Sequence, residues 1–216
     1  MLSLRSIPCT VRRRTLLTEA ERVCVLDEFN AAVRRPEAHG GLACLPLFLD
    51  VLAQDEDRPD GARWIVDDNA RLDMAALLRY CFPQPEIHVV AAEYGAAARK
   101  RGWLRLDRAL RTDEYTSLVE TGEGWAETDR TFDDVLLVYG RPSAIFGDQD
   151  PCSAKTLGYA SGDRTAPLAV FHFGEAGDAP SARLLAFRSG DDMFGASMGF
   201  TPFGDVVADE RERRQH

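Results

Sequence analysis

The sequence has no C-x-x-C, no two histidines at i, i+2 or i+4, no G-x-G-x-x-G and no run of 18 consecutive apolar residues. Each absence excludes something. Structural zinc needs Cys and His ligands at short spacings. His39, His88, His172 and His216 are scattered singly, and the five cysteines stand at 9, 24, 44, 81 and 152, so no metal site is expected. An odd cysteine count with wide gaps is no disulfide framework either. Cys24, Cys44 and Cys81 fall within apolar helical patterns, where a thiol acts as a small hydrophobe. A reducing cytoplasm is the expected compartment. A membrane-crossing helix needs about 20 mostly apolar residues, which this chain does not offer. No cofactor is expected.

Lysine is scarce as well: Lys100 and Lys155 are the only two among 26 basic residues, and the others are arginine. The stretch MLSLRSIPCTVRRRTLL is basic, but Arg5, Pro8 and Arg12 to Arg14 interrupt the apolar core a secretory signal requires. The expectation is a basic arm over 1–14, with a mitochondrial presequence sharing the same Arg-rich look.

A chain of 216 residues buries roughly 70% of its unfolded surface, so it needs no staple. The charge is unevenly divided. Residues 1–108 hold 16 basic and 16 acidic side chains, whereas 109–216 hold 10 and 19 and carry the whole net charge of −9. Between 113 and 150, ten acidic residues face only Arg130 and Arg141. Such a segment disfavours nucleic acid, whose binding needs Lys and Arg to displace counterions. It fits a protein partner with a basic surface. The competing reading is a solvated acidic face that keeps the protein soluble.

Thr18 and Glu21 form a capping box ahead of Val23, Leu26, Phe29 and Val33 at helical spacing, and Pro36 follows the end. HGG at 39–41 breaks the chain, and LPLFLDVLAQ (45–54) reads as a second helix. RWIV reads as a short strand and DDNARLDMAALLRYCF as a helix. EIHVVAAEY reads as a strand, with AAEYGAAARKR leaving a helix open. EYTSLVETGEGWAETDR alternates around glycines and reads as a hairpin. Thr131 caps a helix with Phe132, Val135, Leu136 and Tyr139 on one face, stopped by Gly140 and Pro142. SAIFG reads as a strand, AKTLGYASGDRTAPLAVFHFG as a hairpin turning at SGDRTAP, and ARLLAFRSG as a further strand. The fold class is α+β: N-terminal helices packed on one face of an antiparallel sheet built from helix-then-hairpin units. The chain reads as one domain over 1–216. A subdivision near 110, into a helix-rich part (15–108) and an acidic, sheet-rich part (109–205), would match the charge asymmetry. Residues 206–216 read as a fraying charged tail.

Little of this is chemistry. LLVYGRPSAIFG (136–147) resembles a glycine loop around an anion, but a P-loop follows a strand and precedes a helix, and here the order is reversed. The doublets Asp67-Asp68, Asp133-Asp134 and Asp191-Asp192 suit helix capping and solvation better than metals. Cys152 with His172 is the one Cys/His pairing to state, and Asp148 and Asp150 nearby disfavour a thiolate. His172, between Phe171 and Phe173, points to the opposite strand face and reads as a partly exposed, structurally satisfied imidazole. Trp64 and Trp103 read as packing anchors. Trp125, amid Glu120, Glu123, Glu127 and Asp129, has the pattern of an exposed binding anchor in a charged surround.

The run FDDVLLVYGRP…AIFG…KTLGYA…APLAVFHF, over about 131–173, resembles helix-plus-antiparallel-sheet units of bacterial toxin-immunity proteins. It is similar, at fold level, to the helix-plus-sheet repeats of secreted β-lactamase inhibitors. The resemblance implies a non-catalytic cytoplasmic binding protein that covers a basic toxin surface. The candidate partner-binding residues are Tyr115, Glu120, Glu123, Trp125, Glu127, Asp129, Asp133, Asp134, Asp148 and Asp150. The alternative is a small enzyme with a cleft near His172, assembled from distant residues such as His88 and Glu93.

Overall fold

The computed structural model describes residues 17–55, 87–175, 177–190 and 198–214. The expected strand RWIV, the following helix, the basic arm and the doublets at 67–68 and 191–192 lie outside them. Among the described residues the order is α1 (Glu19–Arg34), a 3-10 turn (Pro36–His39), α2 (Cys44–Asp55), α3 (Ile87–Lys100), α4 (Thr112–Ala126) and α5 (Phe132–Tyr139). The strands follow: β1 (Ala144–Gly147), β2 (Lys155–Tyr159), β3 (Ala169–Gly174), β4 (Arg183–Arg188) and β5 (Met198–Phe200), then α6 (Pro202–Arg214). The strands form one antiparallel sheet in sequential order, each paired with the next. The class is α+β.

Helices cover both faces of this sheet, not one. On the first face, Phe29, Ala32 and Val33 of α1, Leu45 and Leu49 of α2, and Ala91, Ala92 and Ala98 of α3 share a core with Ala144, Phe146, Ala160 and Val170. On the other, Tyr115, Leu118 and Ala126 of α4 and Phe132 and Val135 of α5 pack on Leu157, Tyr159, Phe171, Phe173 and Phe187. Every residue of β2 and β3 is therefore buried, which explains apolar runs such as AVFHFG.

EIHVVAAEY (86–94), read as a strand with a helix left open, is helical from Ile87 as part of α3 (Ile87–Lys100). Its small side chains at 91, 92, 95 and 98 give α3 a flat face, and a Cβ on Gly95 would stand 2.6 Å from the Phe146 ring. The hairpin expected over 114–130 is instead largely α4. Tyr115, Leu118, Gly122 and Ala126 are its buried residues, one helical face at spacings of three, four and four. Gly122 is not a turn residue but a point of close approach, since a Cβ there would meet Phe187 at 2.5 Å. The Glu114 carboxylate accepts the Arg111 amide at 2.8 Å and starts this helix.

The capping boxes at Thr18–Glu21 and Thr131–Asp134 both form. Gly140 ends α5 with φ +70°, its amide donating to Leu136 O at 2.9 Å. The segment expected as a fraying tail from 206 is helical to Arg214. Thr201 caps that helix, accepting the Gly204 amide at 3.0 Å and donating to Leu184 O at 2.6 Å. No helix among the described residues is long and apolar enough to cross a membrane.

Candidate functional site

The sequence offers two places to look, an acidic surface and an interior cluster around His172. On the surface, Glu120 and Glu123 lie along the solvent-facing side of α4 and Glu127 caps its C-terminal end, and all three are exposed. Asp133, in the first turn of α5, is exposed as well. None of the four carboxylates makes a side-chain hydrogen bond or ion pair among the described residues. On α5, Leu137 is 84% and Val138 53% exposed, and Leu137 is one helical turn beyond Asp133. Trp125 meets Tyr139 edge-on at 5.3 Å, which sets the end of α5 against the second half of α4. The carboxylates and the exposed apolar pair thus belong to one helical layer.

Other candidates have internal duties. Tyr115 is buried, and its hydroxyl donates to Pro167 O at 2.6 Å, so it packs inward. Trp125 is half-buried against Tyr139 and Phe171, with the Arg130 guanidinium 4.6 Å above its ring. A helix, unlike the expected hairpin, turns position 125 toward the sheet. Asp129 pairs with Arg183 at 2.9 Å and accepts the Phe203 amide at 2.8 Å, anchoring α6. Asp134 closes its capping box through Thr131 N at 2.9 Å and Thr131 Oγ1 at 2.8 Å.

Asp148 and Asp150 are exposed in the β1–β2 loop and accept the amides of Asp150 and Cys152 at 3.0 and 2.9 Å. These backbone bonds hold the Asp148 carboxyl below the ordinary carboxylate range. Beside them Lys155 is wholly buried, its ammonium donating to Asp150 O and lying 4.8 Å from the Phe132 ring. Burial pushes its pKa down, against the pull of Asp148 and Asp150.

Between α3 and the sheet, Thr156 Oγ1 stands 2.8 Å from His88 Nδ1 and 2.9 Å from His172 Nδ1. A hydroxyl has one proton to give. Thr156 Oγ1 can therefore donate to only one of the two Nδ1 atoms, and the other must carry a hydrogen and donate to it. Glu93 of α3 and Arg188 of β4 form a largely buried ion pair in the same layer. Burial, then the charge of Arg188 and the neighbouring His88, hold the His172 pKa well below the ordinary 6.5. His172 was expected to be partly exposed; it is fully buried because α3 covers its face.

His88, Glu93 and His172, named from sequence as members of a cleft, do converge on one interface. Thr156 and Arg188 were missed, because only strand register places them there. Cys152 is exposed, with its thiol on Pro180 O at 3.2 Å, so it does not pair with buried His172. In the loop 140–147, the Gly140 and Ser143 amides are both used, the latter on Gly158 O at 2.8 Å, leaving no anion cradle. Gly195 to Gly199 (GASMG) has the G-x-S-x-G spacing of a nucleophile elbow, a match the sequence reading overlooked. Gly195 to Ser197 lie outside the described residues.

Comparison with family models, curated proteins and solved structures finds no match.

Proposed function

We propose that this chain is a non-catalytic binding protein that neutralises or regulates a protein partner with a basic surface, in the manner of an immunity protein covering a toxin. One observation carries the reading: Glu120, Glu123, Glu127 and Asp133 are exposed without internal partners, in the layer that also exposes Leu137 and Val138. Carboxylates needed for the fold are tied down, as Asp129 and Asp134 are; these four are not. Charges around an exposed apolar pair speed encounter with a basic surface, while the apolar contact supplies residence. We place the protein in the cytoplasm on the same reading, in keeping with the free thiols of Cys24, Cys44 and Cys152.

The convergence of His88, Glu93 and His172 favours a second reading, a small enzyme. Their burial weighs against it, since a reacting group must reach substrate.

The test is affinity capture from the native host with the wild-type chain and a Glu120→Arg/Glu123→Arg/Glu127→Arg variant, at low and high salt. The reading expects one dominant basic partner, lost in the variant and weakened by salt. Capture of the same partner by both chains, unaffected by salt, would sink it.

A further inference from the structure

Away from the acidic layer, the C-terminal turn of α1, the 3-10 turn and the start of the β1–β2 loop enclose a cleft of about 270 Å³. Arg34, Arg35, His39 and Gln149 supply its polar lining, and Ala31 and Ile145 the apolar part. No carboxylate lines it, on a chain whose net charge is −9. We infer that this cleft is a binding site for a small oxyanion, a carboxylate or a phosphate monoester.

The side chains divide the work. Arg34 is fixed by a two-pronged pair with Asp107, at 3.0 and 3.1 Å, and by donation to Arg105 O at 2.8 Å. That pair neutralises its charge but holds its remaining N–H bonds in place. Both Asp107 oxygens accept from Arg34, and Asp107 is not among the residues that line the cleft. Arg35, His39 and Gln149 are exposed and make no side-chain hydrogen bond among the described residues. Together they present a planar fork, an imidazole and a carboxamide, donor types that match the oxygens of a carboxylate or phosphate.

The carbonyl end of α1 would repel an anion if left open. It is partly closed, since Ala31 O accepts Arg35 N at 3.1 Å. Asp148 is the neighbouring acid, close enough to feel the Arg35 charge, and acts as an internal competitor for it. The volume admits a ligand of a few heavy atoms, below the usual range for large cofactors.

The probes are inorganic phosphate and succinate, titrated into isotopically labelled full chain and followed by amide chemical shifts, with chloride at equal ionic strength as baseline. The expected result is a saturable shift confined to 31–39 and 145–149 with at least one probe, and which probe acts assigns the ligand class. Arg35→Gln weakens that binding by about tenfold, the loss of a charge-assisted fork. Asp148→Asn tightens it. Arg141→Gln, an equal charge change at another exposed site, leaves it unchanged. No saturable shift with either probe, or an equal loss in Arg35→Gln and Arg141→Gln, overturns the proposal. The outcome is independent of the α4 surface, whose partner is basic.

Discussion

Thr156 and His172 face each other across β2 and β3, and the threonine hydroxyl bridges His172 Nδ1, at 2.9 Å, to His88 on α3. The contact joins a helix to the middle of the sheet, beside a buried positive charge on Arg188.

Stability is therefore expected to fall on mild acidification. The unfolded chain protonates His172 near its ordinary 6.5, whereas the folded one resists until well below it. Below about pH 6.5 the unfolded state binds the extra proton, and stability drops by up to about 1.4 kcal/mol per pH unit. Urea unfolding at several pH values checks this, with His172→Asn flattening the slope. A curve equally flat in wild type and variant would remove His172 from the account.

Two glycines of α4 should respond in opposite directions to alanine. At Gly122 a Cβ would press on the Phe187 ring, costing about 1–3 kcal/mol. At Gly124 a Cβ meets nothing within 4 Å, and helix propensity gains about 0.5–1 kcal/mol. Thermal melts of the two single variants would show the split; a common sign would mean that α4 does not pack as described.

Gly204→Ala should loosen α6. A Cβ there would lie 2.0 Å from Leu185 O, a backbone atom that cannot turn aside. Hydrogen exchange is expected to quicken through 202–214 while β2 and β3 stay protected. Unchanged protection of α6 would count against its docking on β4.

Arg99 donates to the carbonyls of Ser161, Asp163 and Ala166 and so holds the β2–β3 turn from within. Arg99→Met leaves those carbonyls without their donor, at about 1–3 kcal/mol. Limited proteolysis should then cut within 161–167; resistance equal to wild type would show that the turn holds itself.

Much of the fold was readable where structure is set locally. The capping boxes at Thr18 and Thr131 fix their helices within four residues, and Gly140 with Pro142 ends α5 as its neighbours dictate. What escaped depended on distant partners. Gly122 reads as a turn until Phe187 is known to lie beneath it. EIHVVAAEY is ambiguous until the sheet demands the flat alanine face of α3. His172 looks half-exposed because a second helical layer cannot be seen along one strand. For the candidate site, sequence found the carboxylates but could not separate Asp129 and Asp134, which build the fold, from the four left to solvent.

The sequential order of the strands has a consequence for synthesis. Each β pairing joins neighbours in the chain, so the sheet can zip hairpin by hairpin with short loop closures. The front layer has no such freedom. Phe29 and Leu45 find sheet partners in Ala144, Phe146 and Val170, about half the chain later. During translation α1 and α2 can pack on each other and on α3, but the side of that core that meets the sheet stays open until β1 and β3 have emerged. Truncated chains ending before β3 should therefore be the ones that chaperones hold.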